Sequence, residues 1–188
     1  MDYITEKTYD GKDFTQDTLK KGEYELCIFI NCNFSDSDLS DLLFIECEFI
    51  ECNLSNCKLY GTSFQEVKFS QSKMLGLQFD SCNDFNLSIS FECCKLDHSV
   101  FQKMNLSRSS FDDCQMEGVD FEEAEMMDVK LLKCDLLNAN FDRTNLENAD
   151  LSYSRNYRID PERNNIKGAR FSFPEVAGLL EKYNIIIE

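Results

Sequence analysis

The chain has little of what most site chemistry requires. It holds one histidine, two prolines and seven glycines among 188 residues. His98 sits in Asp97-His98-Ser99, and three consecutive residues do not converge in the geometry of a nucleophilic triad. The glycines are scattered and form no phosphate-cradling loop. No apolar run approaches the roughly 18 residues that suggest a membrane span, because polar residues recur every few positions. Positive charge is scarce as well: 19 basic residues face 35 acidic ones, for a net charge of −16. Direct nucleic-acid binding is disfavoured, since phosphate neutralisation needs Lys and Arg. The opening residues, Met1-Asp2-Tyr3-Ile4-Thr5-Glu6, are polar and acidic and do not read as a signal peptide, so a cytoplasmic location is expected.

What the chain does have is a period of five. Tyr24, Phe29, Phe34, Leu39, Phe44, Phe49, Leu54, Leu59, Phe64, Phe69, Met74 and Phe79 form one unbroken apolar series. A second, shifted by two residues, runs from Phe91, Leu96 and Phe101 through Phe141, Leu146 and Leu151. Helices repeat near 3.6 residues and strands at 2, so neither explains it. A fixed short repeat means a solenoid. Two residues before each centre lies a mostly small position: Cys27, Cys32, Ser37, Cys47 and Cys52 in the first series, and Cys94, Ser99, Cys114, Ala124 and Cys134 in the second. A large and a small side chain pointing inward every five residues make one flat side of a narrow coil, and four sides close a 20-residue turn.

Ala139-Asn140-Phe141-Asp142-Arg143, Thr144-Asn145-Leu146-Glu147-Asn148 and Ala149-Asp150-Leu151-Ser152-Tyr153 show the motif most clearly. On these residues the chain resembles the pentapeptide-repeat family over roughly residues 22–155. The resemblance implies an all-β fold, a right-handed quadrilateral β-helix, in which residues one turn apart stack. Phe29, Phe49 and Phe69 would form one ladder, Phe101, Phe121 and Phe141 another, and Cys94, Cys114 and Cys134 a third. The expected organisation is one continuous domain: a lead-in over 1–21, a first β-helix segment over 22–80, a frame break over 81–90, a second segment over 91–155, a loop and last coil over 156–170, and a helix and tail over 171–188.

Nine of the ten cysteines fall at the small inward position, Cys93 being the exception. There Cys serves as a small buried hydrophobe. Stacked strands lie about 4.8 Å apart, wider than the roughly 3.8 Å between the Cβ atoms of a disulfide. Five-residue spacing also puts successive thiols on different walls, so converging zinc ligands are not expected. No metal, no cofactor and no catalysis is the reading.

Charge is the remaining signal. No basic residue lies between Lys21 and Lys58, or between Arg108 and Lys130, where Asp112, Asp113, Glu117, Asp120, Glu122 and Glu123 cluster as the candidate acidic binding surface. About seven coils at strand spacing make a rod roughly 35 Å long, and duplex DNA of that length carries about 20 phosphate charges. Such a rod has the charge to imitate nucleic acid.

At the carboxyl end, Ser172-Phe173-Pro174-Glu175 reads as a capping box, with Phe171 and Val176 as its staple. Phe173, Val176, Ala177, Leu180 and Tyr183 recur at helical spacing, and Asn184 is the expected C-cap. An α-helical cap followed by Ile185-Ile186-Ile187-Glu188 resembles the end of the Qnr-type quinolone-resistance proteins. That resemblance implies a homodimer through the cap, with Phe173, Val176, Leu179, Leu180, Tyr183, Ile185 and Ile187 as candidate interface. It also implies an acidic rod that binds DNA gyrase or topoisomerase IV in place of DNA. Qnr proteins carry two loops projecting from the coil, and the sequence has neither as a long insertion. The Ser81–Ser90 stretch slips the frame by only two residues, and Arg155–Gly168, bearing Arg155, Arg158, Arg163 and Lys167, reads as a connector. Two functions follow: a DNA mimic that modulates a type II topoisomerase, or an interaction scaffold for a partner the sequence does not name.

Overall fold

The structure, a computed structural model, describes residues 2–186. Residues one turn apart pair in parallel register, as in Phe29 with Phe49 and Phe111 with Leu131. Four walls close each turn. Wall A carries the strands Asp2–Thr5, Gly22–Glu25, Leu43–Ile45 and Ser63–Gln65, then single bridges joining Asn105, Glu125, Asn145 and Asn165. Wall B is a nine-stranded parallel sheet from Thr8–Asp10 to Arg170–Phe171. Wall C is a bridge series from Asp13 and Asn33 through Gln115, Asp135 and Arg155, and wall D passes through Gln78, Val100, Asp120 and Asn140. At about 4.8 Å per step, the nine rungs of wall B span roughly 38 Å. The rod exceeds the expected seven coils because the chain winds before residue 22 and after residue 155 too.

Most corners place one residue in the left-handed backbone region. Asn31, Asp36, Asp41, Asn56, Asp113, Asp128, Asn138 and Asn148 end their five-residue sides with φ between 52° and 58°. Asn and Asp tolerate this conformation better than other side-chain-bearing residues, and Gly, as at Gly61 with φ 67°, tolerates it best. That is why the last position of the repeat favours these types. Leu26, Glu46, Lys133 and Tyr153 occupy the same corners at greater conformational cost.

Aromatic rings fill the interior as ladders. On wall B, Tyr9, Phe29, Phe49, Phe69, Phe91 and Phe111 stack at centroid separations between 4.6 and 5.4 Å. Phe79, Phe101, Phe121 and Phe141 stack likewise on wall D. Rings on different walls meet edge-to-face, as Phe29 and Phe34 do on adjacent walls at 5.6 Å and 71°, and Phe101 and Phe111 do across the coil at 5.8 Å and 89°. Both arrangements suit the ring quadrupole. The expected Phe29–Phe49–Phe69 and Phe101–Phe121–Phe141 columns are both present.

The small inward position does more than save space. Thr62 Oγ1 donates to the Leu39 carbonyl one coil earlier at 2.8 Å, and Ser154 Oγ to that of Leu131 at 2.6 Å. Cys47 and Cys57 make the same bond through sulfur, to Tyr24 and Phe34. Burial pushes the Cys47, Cys52 and Cys57 thiols up to about 12, so they stay protonated donors at neutral pH. Reading these cysteines as small hydrophobes alone was therefore incomplete. Cys82, one of the nine assigned inward, is only half-buried, and Cys93 is exposed as expected.

The frame break is a bulge on wall A. Ser63 still bridges Asn83, in step with the turn, but Val67 pairs with Ile89, two positions out of step. The extra length therefore lies between 83 and 89. Leu87 turns inward, Asn86 takes a positive φ and Phe85 is left 68% exposed. The next strand begins only at Ile89. The wall B ladder crosses the break intact, because Phe69 stacks on Phe91.

At the carboxyl end, residues expected to form mainly a connector form coil. Arg155 bridges Asp135, Asn165 bridges Asn145, and Tyr157 and Ile159 are buried. The cap helix winds as 3-10 turns over Phe173–Leu179 and Glu181–Tyr183 and ends on Asn184 at φ 49°. The capping box does not close on itself. Ser172 Oγ accepts the Tyr153 N–H at 2.6 Å and Glu175 Oε2 accepts the Asn156 N–H at 3.0 Å. Both side chains fasten the helix to the last coil instead. Gly178 lies so close to Tyr157 that an added Cβ would stand 2.1 Å from its carbonyl oxygen.

Candidate partner-binding walls

Each five-residue side turns three positions outward, so the function of a filled rod is written on its walls. The six acids singled out from the sequence do not share one. Asp112 and Asp113 belong to wall B, Glu117 to wall C, and Asp120, Glu122 and Glu123 to wall D. Three are already matched to cations. Asp112 accepts a hydrogen bond from Lys133 at 3.2 Å and holds that ammonium above its usual pKa. Arg143 bonds Glu122 and lies 2.8 Å from Glu123, which also faces Lys103 at 3.8 Å. Asp120 accepts from Gln102 at 2.6 Å and Asn140 at 3.0 Å. Asp113 and Glu117 stay exposed with no cation partner among the described residues.

The basic stretch after residue 155 is spent in the same way. Arg155 pairs with Asp135, Arg158 with Glu181, Arg163 with Asp142 and Lys167 with Glu147. Lys167 and Asn165 together hold the Glu147 carboxyl below its ordinary range. Three of these cations neutralise the preceding coil and Arg158 neutralises the cap, so among the described residues the stretch presents no free basic patch. The sequence hid this because such partners lie a full turn apart along the chain and meet only once the coil closes.

Counting by wall shows where the excess charge resides. Wall A bears Asp2, Glu6, Glu23, Glu25, Glu46, Glu66, Asp84, Glu125, Asp128 and Glu147 against Arg108 and Lys167, ten acids to two bases. Wall C is balanced, with Asp13, Asp36, Asp97, Glu117 and Asp135 against Lys12, Lys73, Lys95, Arg155 and Arg158. Walls B and D lie between these extremes.

Among the candidate dimer residues, Phe173, Val176, Leu180, Tyr183 and Ile185 are exposed on the cap, with Phe173 at 89%. Leu179 instead packs toward the core. Ile187 lies outside the described residues.

Residues 87–171 match the profile described as a pentapeptide repeat region, and residues 27–65 and 47–83 match pentapeptide repeats in eight copies. The chain belongs to the pentapeptide-repeat family. Solved structures of similar form include two trypsin-treated variants of QnrB1, a plasmid-mediated fluoroquinolone resistance protein. The first superposes with a TM-score of 0.66 and the second with 0.50, each at 18% identity over 99% of this chain and 97% of the other. At that identity the likeness establishes a Qnr-like fold. No characterised sequence matches the chain significantly. No helix among the described residues is long and apolar enough to cross a membrane.

Proposed function

We propose that this pentapeptide-repeat rod is a non-enzymatic interaction protein that imitates duplex DNA. On this reading it binds a type II topoisomerase, DNA gyrase or topoisomerase IV, as a homodimer joined through the exposed apolar side chains of its cap. The observation that carries the proposal is charge per length. The chain holds a net charge of −16 on a rod of roughly 38 Å, where duplex DNA would present about 22 phosphates. A surface built to receive DNA meets comparable charge here, and long-range attraction would steer the encounter.

The test is DNA supercoiling by purified gyrase, titrated with the protein, with and without a fluoroquinolone. Restored supercoiling under drug, or inhibition without it, supports the mimic. No effect at tens of micromolar sinks it. The balanced wall C and the ion pairs along the carboxyl half favour a second reading, an interaction scaffold in which only a local surface binds. Salt separates the two, because binding along the whole charged length weakens more steeply with ionic strength than a local contact does.

A further inference from the structure

Wall A differs from the other walls in more than charge. Its outward and corner positions include Tyr3, Leu26, Phe85 and Met127, exposed by 59, 43, 68 and 38%. Elsewhere on the coil walls such residues occur singly, as Tyr60 on wall D and Leu137 on wall C. Single exposed apolar residues need no explanation, but wall A carries four of them, on separate coils, where each other wall carries one, and a face so enriched is the best candidate for an interaction surface. The bulge at residues 83–89 gives that wall its most exposed aromatic ring, Phe85. It also opens a recess at the corner of walls A and B, bounded by Leu26, Glu46, Glu48, Glu66, Lys68 and Arg108. Glu23, Glu46 and Glu66 have no cation within 4.0 Å among the described residues, in contrast to Glu122 and Glu123 under Arg143.

We infer that wall A, centred on the Phe85 bulge, is the docking face for a basic protein surface that carries apolar side chains. Charge complementarity chooses the occupant. Nucleic acid and anionic lipid share the sign of the wall and are repelled. A cationic protein surface gains from Glu23, Glu46 and Glu66 and can cover Phe85 and Leu26 with its own apolar groups. The inference rests on the rod being an interaction protein; it does not require the partner to be a topoisomerase.

The test uses the full chain and a fluorescent peptide of about 12 alternating arginine and leucine residues, read by anisotropy at about 150 mM salt. Two triple variants remove equal charge: Glu23→Gln with Glu46→Gln and Glu66→Gln on wall A, and Asp38→Asn with Asp41→Asn and Asp80→Asn on wall D. The wall A triple is expected to weaken binding about tenfold and the wall D triple less than about threefold. Phe85→Ser is expected to weaken it about fivefold, with the loss persisting at about 0.5 M salt because an apolar contact is not screened. Equal losses from both triples, no effect of Phe85→Ser, or no binding by the unaltered chain would overturn the inference. The same variants titrated against purified gyrase separate it from the proposed function. Gyrase binding that ignores the wall A triple leaves the topoisomerase reading standing and removes this one. Wall-A-dependent peptide binding without gyrase binding does the reverse.

Discussion

Phe49→Ala probes whether the stacked rings hold the coil together. Phe49 has no solvent exposure. Its ring lies between Phe29 at 4.6 Å and Phe69 at 4.9 Å, and meets Phe34 and Phe44 edge-on at 5.8 and 5.4 Å. Truncating a buried Phe typically costs about 3–5 kcal/mol. A site with rings above and below cannot collapse without breaking the strand spacing that sets the ladder, so the loss should approach about 5 kcal/mol. For a chain of this length that lowers the midpoint by about 10–20 °C. Urea unfolding followed by circular dichroism measures it, with Phe85→Ala as the internal control. The exposed Phe85 should change stability by less than about 0.5 kcal/mol. Because each coil touches only its neighbours, amide exchange in Phe49→Ala should rise most on the rungs of Phe29, Phe49 and Phe69. A loss under about 1.5 kcal/mol, or loss of protection spread evenly along the rod, would refute the argument.

Thr62→Val keeps the shape of the side chain and removes the hydroxyl that donates to Leu39. It should destabilise by about 1–2 kcal/mol in the same urea assay, and a neutral result would show that the small inward position needs only size. Alkali should weaken the fold through the buried thiols. Their native pKa lies at about 12, above the ordinary value, so their contribution declines only as the unfolded thiols ionise: it is whole below about pH 8.5 and falls as pH rises toward about 12. At about pH 10 the loss is on the order of 1–2 kcal/mol per thiol, and Cys57→Ser should reduce the slope of a pH series of unfolding midpoints. Flat midpoints from about pH 8 to 11 would contradict it. Leu180→Asp places a charge in the exposed apolar cap and should convert a dimer to monomer by sedimentation equilibrium. A dimer that survived would move the interface elsewhere.

The period of five was decisive by itself. Once a large residue such as Phe49 and a small one such as Cys47 recur at fixed places, only a narrow square coil buries both, and the ladder partners follow from a turn of four such sides. Corner chemistry was legible too, since Asn and Asp recur where a left-handed backbone is needed. Other properties were decided by closure. Ser172 and Glu175 have the spacing of a capping box, yet the last coil offered Tyr153 and Asn156 as partners and won them. The acids from Asp112 to Glu123 are neighbours in sequence but divide among three walls, because each repeat turns the chain through a right angle. Arg143 and Arg163 are distant in sequence from the carboxylates they neutralise and lie against them in space. Even the slip, visible as a change of frame, gave no hint that Phe85 would be the residue pushed outward. A local period sets the fold of a coil, whereas the charge on each wall depends on residues a full turn apart, which meet only when the turn is closed.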